Sequence, residues 1–380
     1  MGTVLLVHFL CNLSQEKRPY CVLLMIYLHQ IHTKKQRTTI MNLQKNLYID
    51  EVLVQYFPAG SWETWVGQSG ANNTTRFVRV DDNQYVLRVY ETHQDEDKVK
   101  YEHAILVTLT EMPLTISIPE PVRSRDGKTI VRTMDGKIAS LFRYLDGVNP
   151  ALGEIAEIHS YGRTATELSA SLANVQINQR PAYNPYYEID STHPSCSLQE
   201  VLNFCKNPPR EFSEQNTDLQ VIYDQLTSFT EQISRLRQLP HQLVHGDLNA
   251  SNILVNEDGI VSAALDFEFV TNDLRVMELA VCLSDFIEPS EEEAKTWAKI
   301  NAFLSGYGQS RKMTEDEIEA IPILIQLRSL DVFIHFLGRY LDQVSSIDIV
   351  KEYIKKSAIR CKWILDNKNK LITLCYANLQ

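Results

Sequence analysis

His245-Gly246-Asp247-Leu248-Asn249-Ala250-Ser251-Asn252, followed by Leu265-Asp266-Phe267-Glu268, sets an aspartate, an asparagine and a second aspartate at spacings that suit metal-dependent phosphoryl transfer. Magnesium is a hard cation that takes one or two protein oxygens, carboxylate or amide, and leaves its other positions to phosphates and water. Asn252 and Asp266 fit that demand. An attacking hydroxyl must also be oriented and must lose its proton late in the reaction, and Asp247 is the candidate base. One such residue alone reads as turn chemistry. The three together are what the reaction needs.

The intervening residues explain how distant positions could meet. Ile253-Leu254-Val255 is a short apolar run suited to a strand, and Ile260 to Leu265 reads as the returning strand. Asn256-Glu257-Asp258-Gly259 between them is turn chemistry, because Asp-Gly tolerates the positive φ of tight hairpins. A hairpin brings its ends together, so Asn252 and Asp266 should lie side by side, with Asp247 one short loop away. His245 is expected to orient this loop by hydrogen bonding rather than to carry a proton or a metal.

These motifs resemble the catalytic and metal-binding loops of the aminoglycoside phosphotransferase family, a branch of the protein-kinase-like fold that also holds choline kinases and homoserine kinases. Protein kinases carry His-Arg-Asp and Asp-Phe-Gly. Here Gly246 stands in place of the Arg and Glu268 in place of the Gly, as in the small-molecule branch, and no Ala-Pro-Glu triplet follows. Without that Arg, a phosphorylated activation loop has no partner. The resemblance extends from about Tyr48 to the C-terminus and is specific only at the motifs. It implies an α+β, bilobal protein-kinase-like fold: a β-rich N-lobe over 41–145 with one main helix, and a larger, mostly helical C-lobe over 146–380. It also implies ATP and Mg2+ as cofactors.

The phosphate-binding half should lie upstream. Gly67 to Thr75 is small, polar and glycine-bearing, and Arg76 to Val80 and Gln84 to Tyr90 read as strands around an Asp81-Asp82-Asn83 turn. Such a hairpin lets backbone N–H groups approach phosphates, which makes Gly67, Ser69 and Gly70 candidates. Arg88 stands where the resemblance leads one to expect Lys. It keeps the charge and can bind phosphate through two nitrogens, but it is larger and not equivalent. Gln94 to Thr110 reads as a helix whose apolar stripe (Val99, Ile105, Leu106, Leu109) includes Glu102. A carboxylate on such a stripe needs a partner, and Arg88 is the one expected. Ile138 to Tyr144 reads as the last strand of the small lobe, with a hinge at Phe142 to Leu145; Phe142, Arg143 and Tyr144 would meet the adenine mainly through backbone.

Beyond the hinge the apolar period becomes helical: Leu152 to Ala173, Leu198 to Cys205, Asn216 to Leu236, Leu274 to Phe286, Ser290 to Ser305, Glu315 to Val344 and Ile347 to Asn367. Pro322 should break or bend the sixth of these. Tyr183, Tyr186 and Tyr187 sit in an Asn- and Pro-rich loop, suited either to packing on the surface or to lining a pocket for a cationic amine.

The net charge of −11 argues against nucleic acid, which needs clustered Lys and Arg. It is compatible with a cationic or zwitterionic small-molecule acceptor. Seven scattered cysteines without a CxxC pair fit a reducing cytoplasm better than a disulfide framework. Residues 1–40 differ from the rest. They carry five Lys or Arg and one Glu, so the chain from Met41 onward is at −15. Their apolar runs, Val4 to Leu10 and Cys21 to Leu28, fall short of the ~20 residues of a membrane span. The fold is therefore expected to start near Met41. The function expected is ATP- and magnesium-dependent phosphorylation of a hydroxyl on a small molecule, an amino alcohol of homoserine type or an aminoglycoside. The alternative is a non-catalytic kinase-like binding or regulatory protein, and Arg88 is its best support.

Overall fold

Successive residues of a strand face opposite sides of its sheet, and this alternation places the site's upstream half. The structure, a computed structural model, describes residues 48–66, 73–90, 95–287 and 291–380. The expectations for residues 1–40 and for Gly67, Ser69 and Gly70 lie outside the described residues. Strands β1 (Glu63–Trp65), β2 (Asn73–Val80), β3 (Asn83–Tyr90), β4 (Val131–Arg132) and β5 (Ile138–Arg143) form one antiparallel sheet in the order β1-β2-β3-β5-β4. Leu87 and Val89 of β3 pack with Val78, Val80, Ala139 and Leu141 against Ile49, Val52 and Leu53 of a helical turn over 48–53. Val86, Arg88 and Tyr90 are left to the opposite face, towards helix α1 (Glu96–Thr110) and the cleft. Asp95 caps α1 by accepting from the backbone N–H groups of Asp97 and Lys98.

The remainder is built on helices: α2 (Ile155–Leu172), α3 (Leu198–Lys206), α4 (Asn216–Leu236), α5 (Met277–Ser284), α6 (Glu293–Tyr307), α7 (Glu315–Leu341) and α8 (Ile347–Leu379). Two small sheets lie among them, β6 (His241–Val244) with β9 (Thr271–Leu274) and β7 (Ile253–Val255) with β8 (Val261–Ala264). The β6–β9 pair is absent from the sequence reading, because four-residue runs that pair across an interval of about thirty carry too little periodicity. Helix α7 continues through Pro322 rather than breaking there. Its apolar window is two-thirds buried, so its length and hydropathy, sufficient for a membrane span, are used to fill the core. Helix α8 runs on past the polar stretch at Asn367 because Leu371, Cys375 and Leu379 are buried on one side of it.

Helices α2 and α6 cross on two glycines. A Cβ at Gly162 would stand 2.1 Å from the Phe303 carbonyl oxygen, and one at Gly306 2.1 Å from that of His159. Both obstacles are backbone and cannot swing aside. Helix propensity alone would make Gly306→Ala stabilising by about 1 kcal/mol. Overpacking costs about 1–3 kcal/mol and sometimes more, so the variant is expected to unfold at lower urea than the wild type. A midpoint that stays or rises would mean the helices can part at little cost.

Candidate active site

The hairpin β7–β8 has the register that the spacing required. Ile253 pairs with Ala264, and the Leu265 N–H donates to the Asn252 carbonyl at 2.8 Å, which puts Asn252 beside Asp266. Asp247 reaches the same point through its side chain. Its Oδ2 accepts from Asn252 Nδ2 at 3.0 Å, and its Oδ1 accepts from Asn249 Nδ2 at 3.0 Å and from Arg328 Nη2. The Asn252 amide nitrogen also donates to the Asp247 carbonyl at 2.8 Å, so its amide oxygen is not used in these contacts.

His245 is fully buried and joins the two motifs. Its Nε2 bonds the Leu265 carbonyl at 2.8 Å, and its Nδ1 accepts from the Asp247 N–H at 3.3 Å. This pattern assigns the proton to Nε2 and leaves the ring neutral; burial lowers its pKa in the same sense. Gly246 adopts φ +79°, and a Cβ there would stand 2.9 Å from the Phe269 carbonyl oxygen. No Arg fits in that backbone, which is a local reason for the glycine beyond the missing activation loop. Asp266 is left-handed at φ 60°, ψ 67°, a conformation that Asp tolerates better than most residues.

Arg88 enters from the sheet. Its Nη1 lies 3.4 Å from Glu102 Oε1 on α1 and 3.6 Å from Asp266 Oδ1. One guanidinium nitrogen therefore links the strand to the helix and to the Asp266-Phe267-Glu268 segment. Burial pushes the Glu102 carboxyl up to about 7; Arg88 opposes the shift and Asp266 adds to it. Glu268 is also raised, first by burial and then by Asp266. Three carboxylates thus crowd the Arg88 guanidinium, and Asp266 Oδ1 is buried with no hydrogen-bond partner. Several carboxylates around one guanidinium, with an Asp266 oxygen that makes no hydrogen bond, are a donor set that fits a divalent cation.

The hinge residues divide. Phe142 is buried on the cleft face, under the Arg88 guanidinium at 5.6 Å from its ring centre. The N–H groups of Arg143 and Tyr144 already donate to the carbonyls of Glu120 (3.0 Å) and Gln84 (3.1 Å). Those two donors are already satisfied within the protein.

Sequence reasoning missed the residues that hold the loop. Tyr161 Oη donates to the Leu248 carbonyl at 2.6 Å, Asn149 Nδ2 to those of Ser251 (2.8 Å) and Ile253 (3.0 Å), and Tyr186 Oη to that of Gly246 at 2.7 Å. Glu278 accepts from the His245 N–H, Asp285 from that of Ala250 at 2.7 Å, and Asp273 from that of Tyr186 at 2.7 Å. A signal existed for two of them: Glu278 and Asp285 are carboxylates in and just after an otherwise apolar segment, and such groups have partners.

Burial raises the carboxyls of Glu102, Asp273 and Glu278 to about 7 and that of Asp285 to about 6. A carboxyl whose folded pKa lies above its unfolded value contributes stability at low pH that is lost as pH rises through the folded pKa. The buried His103 and His245 act oppositely, but mainly below about pH 6.5. The ligand-free protein is therefore expected to melt at a lower temperature at pH 8 than at pH 6.5. A calorimetric scan that rises over that interval would contradict the assignment.

The phosphotransferase enzyme family matches residues 66–311. A homoserine kinase of Granulibacter bethesdensis is 27% identical over 259 residues, covering 68% of this chain and 75% of that protein. One of Rhizobium meliloti is 24% identical over 315 residues, 81% of this chain and 91% of that protein. Among solved structures, a microcompartment-associated aminopropanol kinase is similar at a TM-score of 0.62 and 16% identity, over 87% of this chain and 98% of that one. An amicoumacin kinase in complex with AMP-PNP and Ca2+ is similar at 0.60 and 18%, over 86% and 96%. The sheet over a helical lobe is thus the protein-kinase-like fold of small-molecule kinases, and the chain belongs to the phosphotransferase enzyme family.

Proposed function

We propose that the chain transfers the terminal phosphoryl group of ATP, with magnesium, to the hydroxyl of a small amino alcohol of homoserine type, a cationic or zwitterionic acceptor. The observation that carries this reading is the meeting of Asp247, Asn252, Asp266 and Arg88 in one cleft, with Asp247 Oδ2 3.0 Å from Asn252 Nδ2 and Asp266 Oδ1 3.6 Å from Arg88 Nη1. Asn252 and Asp266 would hold magnesium, which when bound neutralises charge on the transferring phosphates. Asp247 orients the acceptor hydroxyl and takes its proton as the bond to phosphorus forms. Arg88, held by Glu102, grips the nucleotide phosphates. The division into an N-lobe to residue 145 and a C-lobe beyond it belongs to the same reading. So does a cytoplasmic location, supported by free, buried cysteines at 196, 205, 282, 361 and 375.

The homoserine-kinase relatives support the acceptor class, since they span most of this chain. A screen of homoserine, aminopropanol, choline-like compounds, aminoglycosides and sugars with labelled ATP tests it. Label transfer to homoserine or a close amino alcohol is expected. Transfer only to sugars, or to nothing in the presence of magnesium, would overturn it.

A further inference from the structure

Arg328 lies on α7, 81 residues beyond the loop it meets. Its Nη2 donates to Asp247 Oδ1, and its Nη1 donates to Tyr186 Oη at 2.7 Å and stands 3.9 Å from Asp331 Oδ2 one turn along the helix. The side chains of Arg328, Asp247 and Asp331 are 17%, 18% and 18% exposed, so each keeps part of its surface towards solvent. A guanidinium in the interior is costly unless anions face it. A single partner would suffice for that, yet this one sits between two carboxylates and is fixed by a tyrosine that also holds Gly246.

The placement has a chemical consequence. Asp247 Oδ1 is taken by Arg328 and Asn249 and Oδ2 by Asn252, so the group that should receive a hydroxyl is engaged before any acceptor arrives. An acceptor that brings its own carboxylate can exchange with Asp247 at the guanidinium, because Arg binds carboxylates through two parallel nitrogens. The exchange leaves Oδ1 with Asn249 alone and opens its second lone pair to the hydroxyl. Asp331, 3.9 Å from the same guanidinium and itself accepting from Thr192 Oγ1 at 2.8 Å, is placed to meet an ammonium. Adjacent cation and anion match the two charges of an α-amino acid.

We propose that Arg328 is the receptor for the acceptor's carboxylate and that it selects hydroxy-amino acids over amino alcohols that lack one. The proposal rests on the kinase reading above, and its test separates the two. Homoserine and 3-aminopropan-1-ol share hydroxyl, spacing and amine and differ in the carboxylate. Steady-state kcat/KM for both, and calorimetric binding of homoserine, are measured with wild type, Arg328→Met and Arg328→Lys, with thermal melts as the check on folding. Wild type is expected to favour homoserine. Arg328→Met is expected to lose on the order of 50-fold more kcat/KM on homoserine than on the aminopropanol, the worth of a charged hydrogen-bond pair, and Arg328→Lys to fall between. Equal losses on both acceptors in folded variants would make Arg328 a prop for Asp247 alone and overturn the proposal, as would a wild type indifferent to the carboxylate. If nothing is phosphorylated but homoserine binds and its affinity depends on Arg328, the kinase reading fails and the receptor stands. If homoserine does not bind wild type, the receptor fails whatever other acceptor is phosphorylated.

Discussion

Asp247→Asn is expected to lower kcat by about 10³-fold, within the range that general-base catalysis contributes, while ATP affinity changes by less than about threefold. The substitution keeps the shape of the side chain and removes its ability to take a proton. It also turns an amide NH2 towards a site where Arg328, Asn249 and Asn252 all donate. One of those donors loses its acceptor, and the Arg328 guanidinium keeps Asp331 and the more distant Asp285 as its charged neighbours. A stability loss of about 1–3 kcal/mol follows from stranding a buried polar group. Turnover, calorimetric ATP binding and a denaturant melt must therefore be read together. The informative result is a folded variant that binds ATP and does not turn over. Retention of more than about a tenth of wild-type kcat would remove Asp247 from the role of base, since general-base catalysis accounts for at least about 10².

The local parts of this site were legible in the sequence because local rules position them. Asn256 to Gly259 specifies a hairpin, and a hairpin fixes who stands next to whom at its ends, so Asn252 beside Asp266 needs no tertiary knowledge. Glu102 on the apolar stripe of α1 announced a buried partner, and Arg88 on the neighbouring strand meets it. Arg328 announced nothing, and Tyr186 announced only the loop that carries it. Each lies on an element whose own pattern is complete without it, and each reaches the loop across 60 or more residues. Tyr186 belongs to the tyrosine-bearing loop for which surface packing and pocket lining were both open. Its hydroxyl, bonded to Gly246 and Arg328, places it at the catalytic loop. The end of α8 was misjudged for a related reason: the polar run at Asn367 to Lys370 hides a buried stripe that only the packed helices expose.

A non-catalytic reading took Arg88 as its support, on the premise that the nucleotide grip had been lost. The Arg88 guanidinium lies 3.4 Å from Glu102 and 3.6 Å from Asp266, which joins the strand–helix ion pair to the Asp266-Phe267-Glu268 segment.

That geometry makes Asp266→Asn the most discriminating variant. Asn tolerates the left-handed backbone of residue 266, so the substitution adds no strain there. It removes one negative charge from a set of three carboxylates crowded around Arg88, and Glu102 and Glu268 are both pushed up partly by Asp266. Relief of that repulsion is set against loss of the Arg88–Asp266 ion pair, so the ligand-free protein is expected to stay within about 1 kcal/mol of wild type near neutral pH. Activity should fall. Losing the charged ligand for magnesium withdraws about 4 kcal/mol of transition-state stabilisation, or about 10³ in rate, and magnesium should no longer tighten ATP binding. A residue kept for structure would show the reverse: a destabilised variant with proportionate activity. If Asp266→Asn lowers the melting temperature and still phosphorylates its acceptor at near wild-type kcat, the metal site is elsewhere and Asp266 serves the ion pair with Arg88.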